Sequence, residues 1–188
     1  MSARGSGTIG AMGVVPHRFT REEYDRMVES GALEDLKVEL LDGEIVDVSP
    51  QGWPHMAMIR VLMVWFAPQI ERLSVQGPLA ATDDSEPEPD IALVEVPANA
   101  HPQTALLAVE VAVSQRPMAL RKARIYARAG VDEFWIVDVP RREVVVHRSP
   151  APEGYDEVET RTGDALLTPP LGLEARTVRA LFANAPDA

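Results

Sequence analysis

The sequence predicts an α/β fold with a mixed central β-sheet flanked by helices, preceded by an N-terminal helix and a β-hairpin. Apolar runs of strand length alternate with helical patterns along the chain, which is typical of one sheet covered by helices. A helical pattern also separates LLAVEVAV from EFWIVDV, as expected for two parallel strands joined by a right-handed crossover. The 188 residues suit one domain, so we expect a flexible arm over 1–15 and a single domain over 16–188.

The N-terminal part predicts a short helix followed by a hairpin. Thr20 and Glu23 form a capping-box pattern, and Gly31 is expected to end the helix that starts there. In KVELLDGEIVDVSP, two apolar runs flank Asp42 and Gly43, a dipeptide typical of a tight hairpin turn.

The middle of the chain predicts a long helix and three strands. Apolar residues recur at helical spacing over 55–73, where Pro68 should kink or split the helix. Strands are expected over 75–82, in IALVEV and over 106–113. Loops are expected at the acidic, proline-rich TDDSEPEPD and over 97–104.

The C-terminal part predicts a helix and a second hairpin. The helix should run from Pro117 to Ala129 and end at Gly130. EFWIVDV and EVVVHR should pair as antiparallel strands. The last 30 residues are expected to hold a loop, a short strand over 165–168 and a short helix over 177–183.

Composition excludes several classes of protein. Apolar residues make up 46% and charged residues 25%, which excludes disorder of the whole chain. No apolar run approaches the roughly 20 residues of a membrane-spanning helix. The absence of cysteine excludes disulfides, thiolate catalysis and iron–sulfur clusters, and it fits the cytoplasm, where we expect the protein to work. The net charge of −11 opposes non-specific nucleic-acid binding, so a nucleic-acid role needs a local basic patch.

Two carboxylates stand at the strands of the predicted core. Asp90 opens IALVEV directly after a proline, and Glu110 interrupts the apolar run LLAVEVAV. A carboxylate in such a run is costly unless it is paired, protonated or bound to a cation. The alternative interpretation is that Glu110 lies on the solvent face of a half-covered strand, since Leu106, Ala108 and Ala112 would share its face.

Lys122 is the third candidate. Sixteen of the 18 basic residues are arginines, and the other lysine is Lys37. At helical spacing Lys122 falls on the apolar face of its helix, whereas the neighbouring arginines fall on the opposite face. The alternative is a lysine whose stem packs at the edge of the core while its ammonium group reaches water.

Two carboxylates and one lysine suit metal-assisted hydrolysis of a phosphodiester. Asp90 and Glu110 would hold Mg²⁺ or Mn²⁺ with a backbone carbonyl, for which Val111 is the candidate. The metal would polarise the phosphate and activate a bound water. Lys122 would orient that water or offset the charge that develops in the transition state.

A basic stretch follows the second carboxylate. Residues 115–131 contain five basic groups and no acid. Besides Lys122 these are Arg116, Arg121, Arg124 and Arg128, which we take as candidate contacts to nucleic-acid phosphates. A solvated helix face in an acidic protein is the alternative. DNA is the expected partner, with RNA left open, and a homodimer is expected because cutting two strands favours two-fold symmetry.

Four stretches of the sequence resemble the PD-(D/E)XK nuclease superfamily and, within it, the Uma-two family of bacterial proteins described as restriction endonucleases. They are VELLDGEIVDVSPQGWPH, DDSEPEPDIALV, VEVAVS and KARIYARAGVDEFWIVD, and the resemblance covers residues 18–182. It implies a restriction-endonuclease-like core and a metal-dependent nuclease. The family's metal-binding acids fall on Asp90 and Glu110, and its helical lysine and tyrosine fall on Lys122 and Tyr126.

The resemblance also implies two further site residues, Glu39 in the first hairpin and His55 at the start of the long helix. The chain departs from the family pattern at Met118, where the family carries an aspartate four residues before the lysine. This departure leaves a second interpretation open, in which the chain is a catalytically decayed nuclease fold acting as a dimeric DNA- or protein-binding scaffold. A hydrolase of a smaller phosphate ester is a third.

Overall fold

The computed structural model describes residues 15–48, 51–95, 100–114 and 116–183. Apart from Val15, the predicted N-terminal arm lies outside these residues, and so do the first positions of the loop predicted over 97–104. The division into an arm and one domain therefore stays a prediction. No helix in the described ranges is long and apolar enough to cross a membrane.

The helices lie close to their predicted positions. They are α1 (Arg21–Glu29), α2 (Trp53–Phe66), α3 (Arg116–Arg128) and α4 (Val178–Leu181), and a 3-10 segment, Ala67–Arg72, continues α2. The strands are β1 (Val38–Leu41), β2 (Glu44–Asp47), β3 (Leu73–Val75), β4 (Ile91–Leu93), β5 (Leu107–Ala112), β6 (Glu133–Asp138), β7 (Glu143–Ala151), β8 (Gly154–Thr162), β9 (Leu166–Leu167) and β10 (Arg176–Thr177).

One mixed sheet organises the molecule, which confirms the predicted fold class. Its strand order is β3-β4-β5-β6-β7-β8. Strands β5 and β6 are parallel and are joined through α3, whereas the other neighbouring pairs are antiparallel. The predicted hairpin forms a separate two-stranded sheet, β1-β2, and β9 pairs with β10.

Helices cover both faces of the central sheet. On one face, side chains of α2 pack with Val109 and Val111 of β5 and with Trp135 of β6. On the other face, side chains of α3 pack with Ala108 and Ala112. Every residue of β5 is consequently buried, so the interpretation that places Glu110 on a solvent face is wrong.

The long helix ends earlier than predicted. After Phe66 the chain tightens into the 3-10 segment, where Gln69 leaves the helical region, so Pro68 splits the helix as expected. The strand predicted over 75–82 instead spans Leu73–Val75. It stops there because Gln76 takes a left-handed conformation, with φ of 49°, which breaks the extended backbone.

Strand β8 is absent from the sequence-based prediction, which assigned no strand between EVVVHR and the short strand over 165–168. Its nine residues, GYDEVETRT, pair with β7 at the edge of the sheet. Most of its side chains are exposed, so it lacks the alternation of apolar and polar residues that marks a half-buried strand. Charged residues are common on such edges because they discourage pairing with other chains.

The capping box of α1 gives a first testable prediction. The Thr20 side chain accepts a hydrogen bond from the Glu23 backbone, and the Glu23 side chain accepts one from the Thr20 backbone. We expect Thr20→Ala to lower the free energy of unfolding by about 1 kcal/mol, because it leaves a helix N–H group without its partner. Urea denaturation measures this loss, and Thr168→Ala serves as a control outside any helix cap. Equal stability of the two variants would contradict the prediction.

Candidate active site

A pocket of about 170 Å³ lies beside the central sheet. The side chains at its floor come from five places in the chain: Glu39 from β1, His55 from α2, Asp90 just before β4, Glu110 from β5 and Lys122 from α3. All are buried, with between 4% and 9% of their surface exposed. The fold thus gathers the acids and the lysine that the sequence singled out, together with the two residues that the family resemblance added.

Asp90 is fixed by the strand next to it and by α2. The antiparallel pairing of β4 with β5 brings Asp90 beside Glu110. Its Oδ2 accepts a 2.8 Å hydrogen bond from the Val111 backbone N–H and lies 3.0 Å from His55 Nε2. These two contacts hold the carboxylate in one orientation, with Oδ2 turned into the protein.

Lys122 joins two carboxylates. Its Nζ donates 3.0 Å hydrogen bonds to Glu39 Oε1 and Glu110 Oε1, and a longer one of 3.3 Å to the Glu88 carbonyl. Tyr126 donates a 2.6 Å hydrogen bond to the same Glu110 oxygen. The lysine therefore points inward, as predicted, and its three N–H groups are all engaged.

Negative charge exceeds positive charge among these buried groups. Glu39, Asp90 and Glu110 face Lys122, and even a protonated His55 would leave the carboxylates in excess. Burial, with the charges of Asp90 and Glu39, raises the pKa of Glu110 to about 8, although Lys122 and a hydrogen bond from the neighbouring tyrosine act against the rise. Burial and the neighbouring negative charges thus disfavour the ionised form of Glu110, and a bound cation would favour it.

The charge excess also acts on the lysine and the tyrosine. Burial opposes the positive charge of Lys122, but the carboxylates of Glu110 and Glu39 outweigh it and raise the pKa of Lys122. Burial, followed by the Glu110 and Glu39 charges, raises the pKa of Tyr126 well above its usual value. Both groups consequently keep their protons and remain hydrogen-bond donors at neutral pH.

The donor atoms fit a magnesium-like ion. Lys122 and Tyr126 both donate to Glu110 Oε1, so neither uses Oε2. Asp90 Oδ1 receives only long contacts, of 3.4 and 3.5 Å. Within the described ranges no group of three or more histidine or acidic side chains converges on one point. Mg²⁺ typically binds one or two carboxylates and keeps several waters, so two carboxylates with an available oxygen each are a fitting set.

One ring nitrogen of His55 lacks a hydrogen-bond partner among the described residues. Its Nδ1 is buried and finds no hydrogen-bond partner among the described residues, whereas Nε2 contacts Asp90. A buried polar atom without a partner costs free energy and is common where a water or ligand is to bind. Nδ1 is therefore a polar atom whose hydrogen-bonding capacity the described residues leave unsatisfied.

Two residues that sequence reasoning missed also contact Asp90. Gln76 donates a 2.6 Å hydrogen bond to Gln51 Oε1, and the side-chain amides of both residues reach toward Asp90 Oδ1. The Gln76 backbone N–H also donates to the Asp90 carbonyl at 3.2 Å. Gln51 lies within VELLDGEIVDVSPQGWPH, one of the stretches that resemble the family, but it was not singled out there, and Gln76 lies outside all four stretches. The left-handed backbone of Gln76, which could have drawn attention to it, is visible only in the structure.

Two of the predicted nucleic-acid contacts are occupied within the molecule. Arg121 pairs with Glu44 at 2.8 Å, and Arg128 pairs with Asp42, both at the turn of the β1-β2 hairpin. These arginines hold the hairpin against α3. Arg124 is exposed, and no ion pair of its side chain is seen in the described part of the chain.

Arg116, the first of the four, is occupied as well. It contacts Asp138 at 2.6 Å and Glu143 at 2.7 Å at the end of the β6-β7 hairpin. DNA phosphates would therefore have to compete with acids of this chain for three of the four arginines. The prediction that these arginines contact nucleic acid stays a prediction.

Two comparisons with known proteins bear on the fold and on the family of this chain. A protein of known structure, titled "Crystal structure of a putative nuclease belonging to DUF820 from Anabaena variabilis ATCC 29413 at 1.96 A resolution", superposes on this chain with a TM-score of 0.63. The two are 22% identical, and the match covers 79% of this chain and 91% of that one. This likeness supports the fold. No curated protein matches the chain. Residues 21–181 match the Uma2 family, described as "Putative restriction endonuclease". A match over that much of the sequence shows that the chain belongs to the Uma2 family.

Proposed function

We propose that the protein is a Mg²⁺- or Mn²⁺-dependent endonuclease that hydrolyses phosphodiester bonds in DNA. One observation carries the proposal: Asp90 and Glu110 lie side by side in a pocket with more buried carboxylates than cations. A divalent cation would relieve this excess of charge, and a phosphodiester is the substrate that such a cation draws into a site. Membership of the Uma2 family supports the same reaction.

The cation would be held by Asp90, Glu110 and the Val111 carbonyl. When bound, it would polarise the phosphate and lower the pKa of a bound water. His55 and the Val111 N–H group hold the Asp90 carboxylate in place. Lys122 and Tyr126 fix Glu110 from the opposite side. Lys122 also brings a permanent positive charge to the point where negative charge develops on the phosphate.

Plasmid DNA provides the direct test. We expect nicking and linearisation in the presence of Mn²⁺ or Mg²⁺, full inhibition by EDTA and recovery when excess metal is added. A labelled RNA of the same sequence, assayed in parallel, distinguishes DNA from RNA as the substrate. Failure to cleave either polymer with either metal would contradict the proposal.

Met118 favours a second candidate, a scaffold that binds DNA or protein without cutting. It lines the pocket at the position where family members carry an aspartate, and a thioether is a poor ligand for Mg²⁺. In that case DNA would bind with equal affinity in EDTA and in Mn²⁺, and no cleavage would follow. Restoring the acid with Met118→Asp provides a matched test, since a gain of metal-dependent cleavage would identify a decayed nuclease site.

We also propose that two copies of the chain associate through the outer face of α2. Trp53, Met56, Met63 and Val64 are exposed on this helix, with between 37% and 71% of their surface accessible. The helix carries no acidic residue in a protein of charge −11, and the exposed Arg60 is the one arginine among its apolar side chains. A two-fold axis would place the same apolar stripe on both sides of the contact.

Light scattering coupled to size-exclusion chromatography measures this association. We expect a dimer for the wild type and a monomer for Val64→Glu, because the new charge would be buried at the interface. Val158→Glu makes the same change at an exposed position of β8 and should leave the dimer intact. A monomeric wild type at micromolar concentration would contradict the proposal.

A further inference from the structure

The reacting groups lie at the bottom of a narrow pocket. Asp90 and Glu110 are 5% and 9% exposed, and Lys122 is 4% exposed. The volume of about 170 Å³ is smaller than the roughly 300–1,000 Å³ of common ligand sites. A phosphodiester that reaches these groups must enter the pocket with the atoms next to it.

Two elements that pack against each other supply apolar side chains to the walls of the pocket. The β1-β2 hairpin contributes apolar side chains, among them Leu41 and Val46, and α3 contributes Met118 and Ala119. These walls suit the apolar faces of a sugar or a base. Because Asp90 and Glu110 are recessed in this pocket, the rigid backbone of a continuous double helix reaches them less easily than a flexible strand does.

Contacts from several parts of the chain fix the hairpin wall. The Phe19 N–H group donates to the Gly43 carbonyl at 2.9 Å, and the Gly43 N–H group donates to the Asp84 carbonyl at 2.7 Å. Asp42 pairs with Arg128 of α3, and its backbone N–H donates to the Ser85 hydroxyl at 2.9 Å. These contacts tie the tip of the hairpin to three other segments, so the wall stays in place when substrate arrives.

From this geometry we propose that the site acts on unpaired nucleotides, in single strands, flaps or frayed ends, in preference to intact duplex. The inference rests on the proposed nuclease function and adds the class of substrate. A single strand bends freely and can insert one nucleotide between the walls. A duplex has first to unpair and unstack that nucleotide, which costs a few kcal/mol.

Charge gives independent support for the same substrate. Holding a rigid duplex over such a site requires a row of cations that bind successive phosphates. Arg116, Arg121 and Arg128 are paired with acids of the chain, as described above. A flexible strand that binds inside the pocket depends less on a row of cations along its phosphates.

The test compares one labelled oligonucleotide as a single strand and as a blunt duplex, at equal concentration with Mn²⁺. Cleavage of the single strand at least about tenfold faster supports the proposal, because a few kcal/mol correspond to that factor or more. Equal or faster cleavage of the duplex overturns it. Binding of the same two substrates in Ca²⁺ without cleavage, followed by fluorescence anisotropy, gives a second readout. If neither substrate is cut, the nuclease proposal fails. In that case, tighter binding of the single strand supports the inference about the substrate, and equal or weaker binding of the single strand overturns it.

A hairpin variant tests the cause of the preference. Asp42→Asn removes the charge that attracts Arg121 and Arg128, and asparagine tolerates the positive φ of 53° at this turn. We expect duplex cleavage to rise several-fold relative to single-strand cleavage. Asp164→Asn, which breaks an exposed ion pair with Arg179, is the control and should leave the ratio unchanged. An unchanged ratio in Asp42→Asn would overturn the hairpin as the origin of the preference.

Discussion

Asp90→Asn and Glu110→Gln are each expected to lower metal-dependent cleavage by about a thousandfold or more, since each removes a charged ligand from a site that has two carboxylates to offer. Both changes keep the size of the side chain. Glu71→Gln makes the same isosteric change at an exposed acid and should cleave like the wild type. Cleavage by Asp90→Asn or Glu110→Gln at the wild-type rate would contradict the assignment of the metal ligands.

Measuring the stability of Glu110→Gln shows whether its loss of cleavage comes from the loss of a metal ligand or from unfolding. Glu110 is one of three buried carboxylates facing Lys122, and burial raises its pKa to about 8, because the ionised form is disfavoured in this environment. Because the folded pKa lies above the unfolded value, the proton on Glu110 stabilises the fold at low pH. This stabilisation declines as the pH rises from the unfolded pKa toward about 8. We therefore expect metal-free Glu110→Gln to melt no lower than the wild type at pH 9.

Lys122→Met is expected to lower the free energy of unfolding by about 3–5 kcal/mol, because it leaves buried carboxylates without their cation. The ammonium group contacts Glu39 at 2.8 Å and Glu110 at 3.0 Å, and both carboxylates are buried. Urea denaturation measures the loss. Lys37, the other lysine of the chain, is exposed, and Lys37→Met should change stability by less than about 0.5 kcal/mol.

A double substitution separates the charge of Lys122 from its packing. Lys122→Met combined with Glu39→Gln removes one cation and one of its carboxylates, so we expect it to recover part of the stability lost in Lys122→Met alone. A double variant less stable than the sum of the two single losses would contradict a charge-pairing role. Cleavage should be lost in Lys122→Met and in the double variant alike, since in both no lysine charge would face the phosphate.

The sequence allowed the central part of the site to be predicted because its signals are local. Glu110 is conspicuous as a charge within an apolar strand, and Lys122 as a rare lysine on the apolar face of an arginine-rich helix. Both are buried and in contact, as those signals indicated. Glu39 and His55 have no such local signal, and the family resemblance supplied them.

The features that were not predicted depend on contacts between residues distant in the sequence, or on the position of a strand at the exposed edge of the sheet. Gln51 and Gln76 reach Asp90 only after α2 and β3 have packed, and neither carries a local signal of burial or charge like those of Glu110 and Lys122. The ion pair of Arg121 with Glu44 joins positions 77 residues apart, so spacing along α3 could show only that the arginine faces outward. Strand β8 has a polar sequence because it lies at the edge of the sheet.

Calorimetric titration with Mn²⁺ tests the central claim most directly, with the wild type compared against a variant carrying both Asp90→Ala and Glu110→Ala. The expected result is saturable binding to the wild type that is lost in the double variant, which circular dichroism should show to be folded. The titration is repeated with a non-cleavable phosphorothioate strand, since phosphate oxygens often complete a magnesium site. Absence of binding by the wild type both with and without that strand, or equal binding by the double variant, would contradict a metal site at Asp90 and Glu110.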